Sequence, residues 1–379
     1  MRRWPMLSAL ALSAAAVTQQ AQSVGSEVAP LYTAYVACES SDEVYVVDFD
    51  GRAAVLREVV EVGYQATEIE GPHGLTIGPE QKFWYCSIAH GKPFGLLYKY
   101  RVGSNELVGE CELGMFPATM QISPLTGLLY VVNFNLHGRM LPSTVSIVDP
   151  DAMVEVGRTV TGAMPHGSRL TSSGDLHYSC AMMSGELYEI DAVSFEVTRS
   201  MQLDIDQPKN HASAAKPTWI SPHPAERRIY AALNGKDQIV EVDTEKWLIR
   251  RRFGTAAGPY NLDVTPDGQL LVATYKGAGE IGVWDLQLGR EVKRLKSSRG
   301  VTHGVVVSRD SRFAFVTAES KNADPGTLDI VDLVAGEVQR ENEAAAYRRE
   351  LQVLKGQMRE MKQQVKQLQE TRSVTTSKV

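Results

Sequence analysis

The sequence predicts an all-β fold, a seven-bladed β-propeller, with six or eight blades as alternatives. Three observations favour it. The 379 residues are 43% hydrophobic, enough for a large core, and their 31 glycines and 17 prolines are too many for an all-helical protein. Segments with similar beginnings recur 42 to 52 residues apart. Within each segment, short runs of alternating apolar residues are separated by turn residues, and four short strands per repeat of this length make a propeller blade.

The N-terminus is typical of an export signal rather than of the fold. A basic head, Arg2-Arg3, precedes an uncharged run from Met6 to Val17, and Ala21-Gln22-Ser23 has the small residues that a signal peptidase needs. We therefore expect residues 1–23 to be a signal peptide and the protein to be periplasmic or secreted, with a mitochondrial presequence as the alternative. The apolar run is too short to span a bilayer, so no membrane span is expected.

The repeats occupy residues 30–338. Each begins at an inner strand and reaches a β-rich run fourteen residues later, commonly at a tyrosine such as Tyr85 or Tyr130. The six starts are Gly71, Phe116, Met164, Lys216, Gly258 and Val301. A partial unit, Tyr35–Asp48, precedes them and brings the count to seven. This first unit has no obvious inner strand, and the last has no obvious outer one, so the sequence does not reveal how the ring closes.

These units resemble the YVTN/YncE-like propellers. Thr265-Pro266-Asp267-Gly268 and Leu129-Tyr130-Val131-Val132-Asn133 match that repeat, and Gly71-Pro72-His73-Gly74 followed by Phe83-Trp84-Tyr85 is similar to the streptogramin-lyase branch. The resemblance implies the propeller fold. It leaves the function open, because the same architecture serves lyases, lactonases and binding proteins.

The tail has a different composition. From Ala344 to Leu368, apolar residues recur at alternating spacings of three and four, which is the seam of a coiled coil. We expect a coiled-coil helix over residues 339–372 that joins copies of the chain into a homo-oligomer through residues 341–370. The alternatives are a helix packed on its own propeller and a solvated amphipathic tail.

The cysteine spacing argues against a cysteine-ligated metal site, and the net charge argues against a nucleic-acid partner. Cys38, Cys86, Cys111 and Cys180 show no metal-type spacing, and we interpret them as small core residues, with one disulfide as an alternative. The formal net charge of -6 gives no dense basic surface, so no nucleic-acid partner is expected.

Three histidines share one position of the repeat. His73, His166 and His303 each follow the start of an inner strand, on the second, fourth and seventh of seven units. Since inner strands line the channel of a propeller, the three imidazoles should surround its axis at one depth. Such a set suits a transition metal, Zn, Cu or Fe. The alternative is that Pro-His-Gly is a turn in which His bonds a neighbouring backbone carbonyl.

A ring of polar residues is predicted around these imidazoles. The second strand of each blade runs back toward the same face, where its end and the following loop carry Glu39, His90, Asn135, Lys276 and Glu319, and Arg169 adds a further cation. His303 and Glu319 are the candidate catalytic pair, and the others are candidate ligand-binding residues. His137, His177, His211 and His223 are expected at the surface.

Together these features favour an exported binding or scaffold protein whose ligand, a small molecule or a protein, docks on the histidine-bearing face. No complete catalytic set is visible in the sequence. The competing hypothesis is a metal-dependent lyase or lactonase, in which the imidazoles hold an ion that polarises substrate or lowers the pKa of water. The third hypothesis is an interaction protein whose helical tail binds the partner.

Overall fold

The computed structural model describes residues 30–64, 68–90, 94–204, 212–321 and 324–340. They form seven antiparallel sheets, each a simple meander, which confirms the predicted seven-bladed propeller. The predicted signal peptide, His211 and residues 341–372 of the predicted coiled coil lie outside the described residues, whereas residues 339 and 340 belong to a strand, Glu337–Arg340. Among the described residues, no helix is both long and apolar enough to cross a membrane.

The first three blades contain eleven strands. Blade 1 has β1 (Tyr32–Cys38), β2 (Glu43–Phe49) and β3 (Ala54–Glu61). Blade 2 has β4 (Pro72–Ile77), β5 (Phe83–Ile88), β6 (Leu96–Arg101) and β7 (Leu107–Glu112). Blade 3 has β8 (Pro117–Ile122), β9 (Leu129–Asn133), β10 (Pro142–Asp149) and β11 (Val154–Ala163).

The other four blades each contain four strands. Blade 4 has β12 (Pro165–Leu170), β13 (Leu176–Ala181), β14 (Glu186–Asp191) and β15 (Val197–Gln202). Blade 5 has β16 (Pro217–Pro222), β17 (Arg228–Leu233), a 3-10 turn (Asn234–Lys236), β18 (Gln238–Asp243) and β19 (Leu248–Gly254). Blade 6 has β20 (Pro259–Val264), β21 (Leu270–Tyr275), β22 (Glu280–Asp285) and β23 (Arg290–Lys296). Blade 7 has β24 (Val301–Val307), β25 (Phe313–Glu319), β26 (Thr327–Asp332) and β27 (Glu337–Arg340).

The two end blades answer the closure question. Among the described residues blade 1 has three strands, and β1 corresponds to the second strand of the other blades, because Cys38 pairs with Glu43 as Tyr275 pairs with Glu280. Blade 7 has its outer strand, since β27 pairs with β26, so the expectation that the last unit loses this strand is wrong. The ring closes through side chains: Phe49 and Phe313 meet edge to face with ring centroids 5.0 Å apart.

Each inner strand that the structure describes carries the same irregularity. In β4, for example, Pro72 pairs with Ile88 and Leu75 with Cys86, so the register shifts between them, and the other inner strands repeat the shift. A β-bulge of this kind bends the strand and redirects a side chain. The bulge lies at the position of His73, His166 and His303, near the start of each inner strand.

None of the four cysteines is disulfide-bonded, so the disulfide alternative does not hold. Cys86, Cys111 and Cys180 are buried, which confirms their interpretation as small core residues, whereas Cys38 is half-buried and lines the cavity.

Candidate functional site

The three repeat-related histidines converge at one end of the central channel, which we call the hub. The ring of His73 lies 5.8 Å from that of His166 and 6.4 Å from that of His303, centroid to centroid. Residues separated by more than two hundred positions in the chain therefore share one end of the channel, as the repeat predicts. The channel belongs to a cavity of about 2830 Å³ whose lining includes all three imidazoles.

His166 is fixed by two hydrogen bonds. Its Nδ1–H donates to the backbone carbonyl of Thr218 in the next blade, at 2.9 Å. Because that nitrogen carries the proton, Nε2 accepts from the hydroxyl of Tyr260, at 3.0 Å. His166 does bond a backbone carbonyl, as the alternative expects, but Pro165-His166-Gly167 lies in strand β12 rather than in a turn and the carbonyl belongs to the next blade, so Nε2 is left directed at the hub.

Tyr260 occupies the histidine position of blade 6, and its role was not predicted. Its ring lies 4.6 Å from that of His303 and 5.4 Å from that of His166, centroid to centroid. Nζ of Lys276 lies 4.5 Å from the centre of the Tyr260 ring, which is cation–π geometry. The repeat alignment itself was the available signal, because every residue at this position points to one hub.

Burial keeps the hub histidines uncharged. The pKa of His166 is lowered to about 3, mainly by desolvation and also by the neighbouring His73 and Lys276, while the bond to the Thr218 carbonyl opposes the change. The pKa of His303 falls well below its usual value, again mainly through burial and then through Lys276. Burial also lowers the pKa of His73, although Glu39 opposes this change. All three imidazoles are therefore neutral near pH 7.

Two carboxylates stand beside histidines at the rim. Nδ1 of His303 lies 3.0 Å from Oε1 of Glu319, so the predicted pair is in contact. Nε2 of His90 lies 2.7 Å from Oε1 of Glu39, and Nδ1 of His90 lies 2.8 Å from Nε2 of His137. A neutral His90 that donates to Glu39 accepts from His137, which makes a carboxylate–imidazole–imidazole chain.

Two other predicted ligand-binding residues contact residues outside this cluster. The side-chain amide of Asn135 donates to the carbonyl of Arg139 in its own loop, at 3.0 Å. Arg169 lies three positions further along its inner strand than His166, and its guanidinium covers the ring of Trp219 at 4.8 Å. Burial lowers the pKa of Arg169 and raises that of Asp263, each of which partly offsets the shift of the other.

The remaining histidines have different environments. His137 is exposed, as expected, but it joins the rim cluster through His90. His223 bonds the carbonyl of Gly268. His177 is fully buried against Tyr130, so its expected surface position is wrong. The alternation in Leu176–Ala181 was the signal for this, because it places His177 on an inter-blade face.

Among the described residues, no three His, Cys, Asp or Glu side chains are arranged closely enough to form a metal-binding group. The hydroxyl of Tyr260 already occupies Nε2 of His166. The predicted Zn, Cu or Fe site stays a prediction that requires this hydroxyl to move aside.

The comparisons with known proteins support the fold. A solved structure described as Kuenenia stuttgartiensis hydrazine synthase is similar with a TM-score of 0.61 at 14% identity, over 84% of this chain and 99% of that chain. At this identity the likeness shows the propeller fold alone. No protein-family model and no curated protein matches the sequence. Membership of the YVTN/YncE-like group stays a prediction.

Proposed function

We propose that this protein is an exported, YVTN-type propeller that binds a small polar ligand at the histidine-bearing end of its channel. In this proposal the C-terminal helix joins copies of the chain into an oligomer. A scaffold role, in which the ligand is a protein, uses the same face. The observation that carries the proposal is the convergence of His73, His166 and His303, all neutral, at the end of a lined cavity.

The chemistry of the site favours a ligand with both polar and planar parts. A neutral imidazole offers one acceptor and one donor nitrogen without the desolvation cost of a charge. Lys276 and Glu39 add one cation and one anion. The ring of Tyr260 lines the cavity, 4.6 Å from that of His303, centroid to centroid, and supplies an aromatic wall.

A thermal-shift panel of small polar aromatic and carboxylic compounds tests ligand binding. We expect a compound that raises the melting temperature of the wild type and loses most of this effect in His166→Ala. His223→Ala is the matched control, since His223 lies beyond the opposite end of its inner strand and should leave the shift intact. Equal shifts in both variants would place binding elsewhere and contradict the proposal.

A metal-dependent enzyme of lyase or lactonase type is the second candidate function. Ligating histidines usually direct their other nitrogen at a carbonyl or carboxylate oxygen. His166 does so toward Thr218 and His303 toward Glu319, which favours this candidate. A bound ion would polarise the substrate, and Glu319, beside His303, would move the proton.

Elemental analysis for Zn, Cu and Fe separates the two candidates. One equivalent of a metal in the purified wild type, lost in His166→Ala and kept in His223→Ala, would support the enzyme. Removal of the Tyr260 hydroxyl in Tyr260→Phe should then strengthen metal binding, because it frees Nε2 of His166. Protein that takes up none of the three metals after dialysis against each would reject this candidate.

The oligomer is tested by light scattering before and after deletion of residues 341–379. We expect a mass that is a multiple of the chain mass to fall to that of one chain. An unchanged mass would contradict assembly through the tail and leave ligand binding at the hub untouched.

A further inference from the structure

A second layer of side chains lines the channel beyond the hub. Each described inner strand carries its hub residue near its start, and the residue three positions later lines the same cavity. At about 3.3 Å per residue, this layer lies roughly 10 Å further along the strands. We call it the second ring, and its members are Thr76, Gln121, Arg169, Ser221, Asp263 and Val306.

Arg169 differs from the other polar members of the second ring in how its side chain is bonded. Gln121, Ser221 and Asp263 each accept a hydrogen bond from a backbone N–H of the next inner strand, at 2.8, 3.1 and 2.9 Å. A guanidinium has only donors, and Nη1 of Arg169 donates to the carbonyl of Ser168 at 2.9 Å. Among the described residues, no carboxylate lies within ion-pair distance of Arg169. Most of its donors therefore remain for a ligand in the channel.

Trp219 holds the guanidinium of Arg169 in place. The guanidinium carbon lies 4.8 Å from the centre of the indole ring, which is cation–π geometry. Trp219 is 9% exposed and belongs to β16, the inner strand of blade 5. A guanidinium held over an aromatic ring still offers its edge, and this edge binds a carboxylate through two parallel hydrogen bonds. Because the side chain is already ordered, less entropy is lost when a ligand binds.

Asp263 approaches the same strand from the opposite side. The hydroxyl of Ser221 donates to Oδ1 of Asp263 at 3.5 Å, and Ser221 stands two positions after Trp219 on β16. Residues two positions apart lie on one face of a strand, about 7 Å from each other. The cation of Arg169 and the anion of Asp263 therefore meet the channel at neighbouring points of blade 5. They are too far apart for an ion pair but within the span of one small molecule.

Burial makes both charges costly as long as they have no ionic partner. Desolvation lowers the pKa of Arg169, and the charge of Asp263 opposes this change. Desolvation raises the pKa of Asp263, and Arg169 opposes this change, followed by the N–H of Val307. A ligand with only an anionic group would satisfy Arg169 but would be repelled by Asp263. A ligand with one anionic and one cationic group stabilises both side chains and leaves the net charge of the buried site unchanged.

We propose that the second ring is a separate binding site for a small zwitterion, an α-amino acid, with its carboxylate on Arg169 and its ammonium group on Asp263. One carbon joins the two charged groups of an α-amino acid, and a hydrogen bond of about 2.9 Å extends its reach on either side. This reach suits two side chains that meet one strand at positions about 7 Å apart. The site uses none of the hub residues, so it does not depend on the ligand proposed for the imidazoles.

Calorimetric titration of the full chain with L-alanine, L-leucine and L-phenylalanine tests the proposal. Each amino acid is compared with the carboxylic acid and with the amine that keep its side chain but lack the other charged group. We expect at least one amino acid to bind about tenfold or more tightly than both of these compounds, which is the effect of one charge-assisted hydrogen bond. If no amino acid binds more tightly than its acid and its amine, the proposal is overturned.

Two variants of the second ring assign the contacts. Arg169→Gln should weaken amino-acid binding by about tenfold or more, because it removes the cation that binds the carboxylate. Asp263→Asn keeps an oxygen for the N–H of Val307 and should abolish the preference for the amino acid over its acid, which keeps the test decisive if Arg169→Gln does not fold.

His166→Ala is the control at the hub and should bind the amino acid as the wild type does. Amino-acid binding that is lost in His166→Ala and kept in Arg169→Gln would place the ligand at the hub and overturn the second site. Failure of the hub to bind any ligand would leave the expected results at the second ring unchanged, so the two proposals are tested separately.

Discussion

His166 and His177 lie one strand apart and are both buried, but they are held in opposite ways. Both nitrogens of His166 are hydrogen-bonded, to Thr218 and Tyr260. Neither nitrogen of His177 has a partner among the described residues, and its ring stacks on Tyr130 at 5.0 Å. A buried polar group without a partner costs free energy. The imidazole of His166 is therefore held in place at the hub, whereas that of His177 destabilises the core.

His177→Phe should make the protein more resistant to acid. Burial and Arg169 lower the pKa of His177 to about 3, below about 6.5 for an unfolded histidine. The unfolded state therefore binds the extra proton, and the stability present above pH 6.5 falls as the pH drops toward 3. For one such group the loss at pH 5 is roughly 2 kcal/mol. Urea unfolding at pH 7.5 and pH 5 should show a loss smaller by this amount in the variant.

The control for this prediction is His223→Phe, at a histidine that is bonded to Gly268 in a turn. It should leave the difference between pH 7.5 and pH 5 as it is in the wild type. If His177→Phe loses as much stability at pH 5 as the wild type does, burial of this imidazole is not a source of acid sensitivity.

The bulge near the start of each inner strand directs one side chain toward the hub. In three blades a hydroxyl of the second strand accepts a hydrogen bond from the backbone N–H just after the hub residue. Oγ1 of Thr317 accepts from Gly304 at 2.8 Å, Oγ of Ser87 from Gly74 at 2.8 Å, and Oγ1 of Thr274 from Asn261 at 3.0 Å. These hydroxyls therefore position His303, His73 and Tyr260.

Thr317→Val should loosen His303 without altering the shape of the core. Valine has nearly the volume of threonine but leaves the N–H of Gly304 without its acceptor, at a cost of about 1–2 kcal/mol in the free energy of unfolding. The imidazole NMR signals of His303 should broaden or move. Thr317→Ser keeps the hydroxyl and should keep the His303 signals of the wild type. Unchanged signals in Thr317→Val would show that the bulge does not depend on this bond.

The sequence predicted the strands and the shared position of His73, His166 and His303, because both follow from periodicity. The alignment puts Tyr260 at the same position of the repeat, but it does not show that the hydroxyl of Tyr260 reaches His166. Arg169 was assigned to the hub face, but three positions along a strand carry a side chain toward the other end of the channel. The distances between side chains of different blades depend on how the blades pack, which the repeat pattern does not specify.

Across the whole molecule, each pair of neighbouring blades shares its own apolar cluster. Leu97 of blade 2 packs with Leu129 of blade 3, and Ile239 of blade 5 packs with Leu271 of blade 6. The cluster between blades 1 and 7 is built from aromatic rings, with Phe49, Phe313 and Phe315 at its centre. Since no strand is shared between these two blades in the described residues, this cluster holds the ring closed.

Phe313→Ala should therefore open the ring before the rest unfolds. Phe313 is fully buried, and removal of its ring should cost about 3–5 kcal/mol. The loss falls on the one junction between the first and last blades, so blade 1 should detach at lower urea than the other six. Hydrogen exchange of β2 should then accelerate at urea concentrations where β9 is still protected, and the unfolding transitions followed by fluorescence and by circular dichroism should no longer coincide.

Leu271→Ala, at an interior junction, should lower stability while β2 and β9 stay protected to the same urea concentration. Coincident transitions in Phe313→Ala would show instead that all seven junctions fail together.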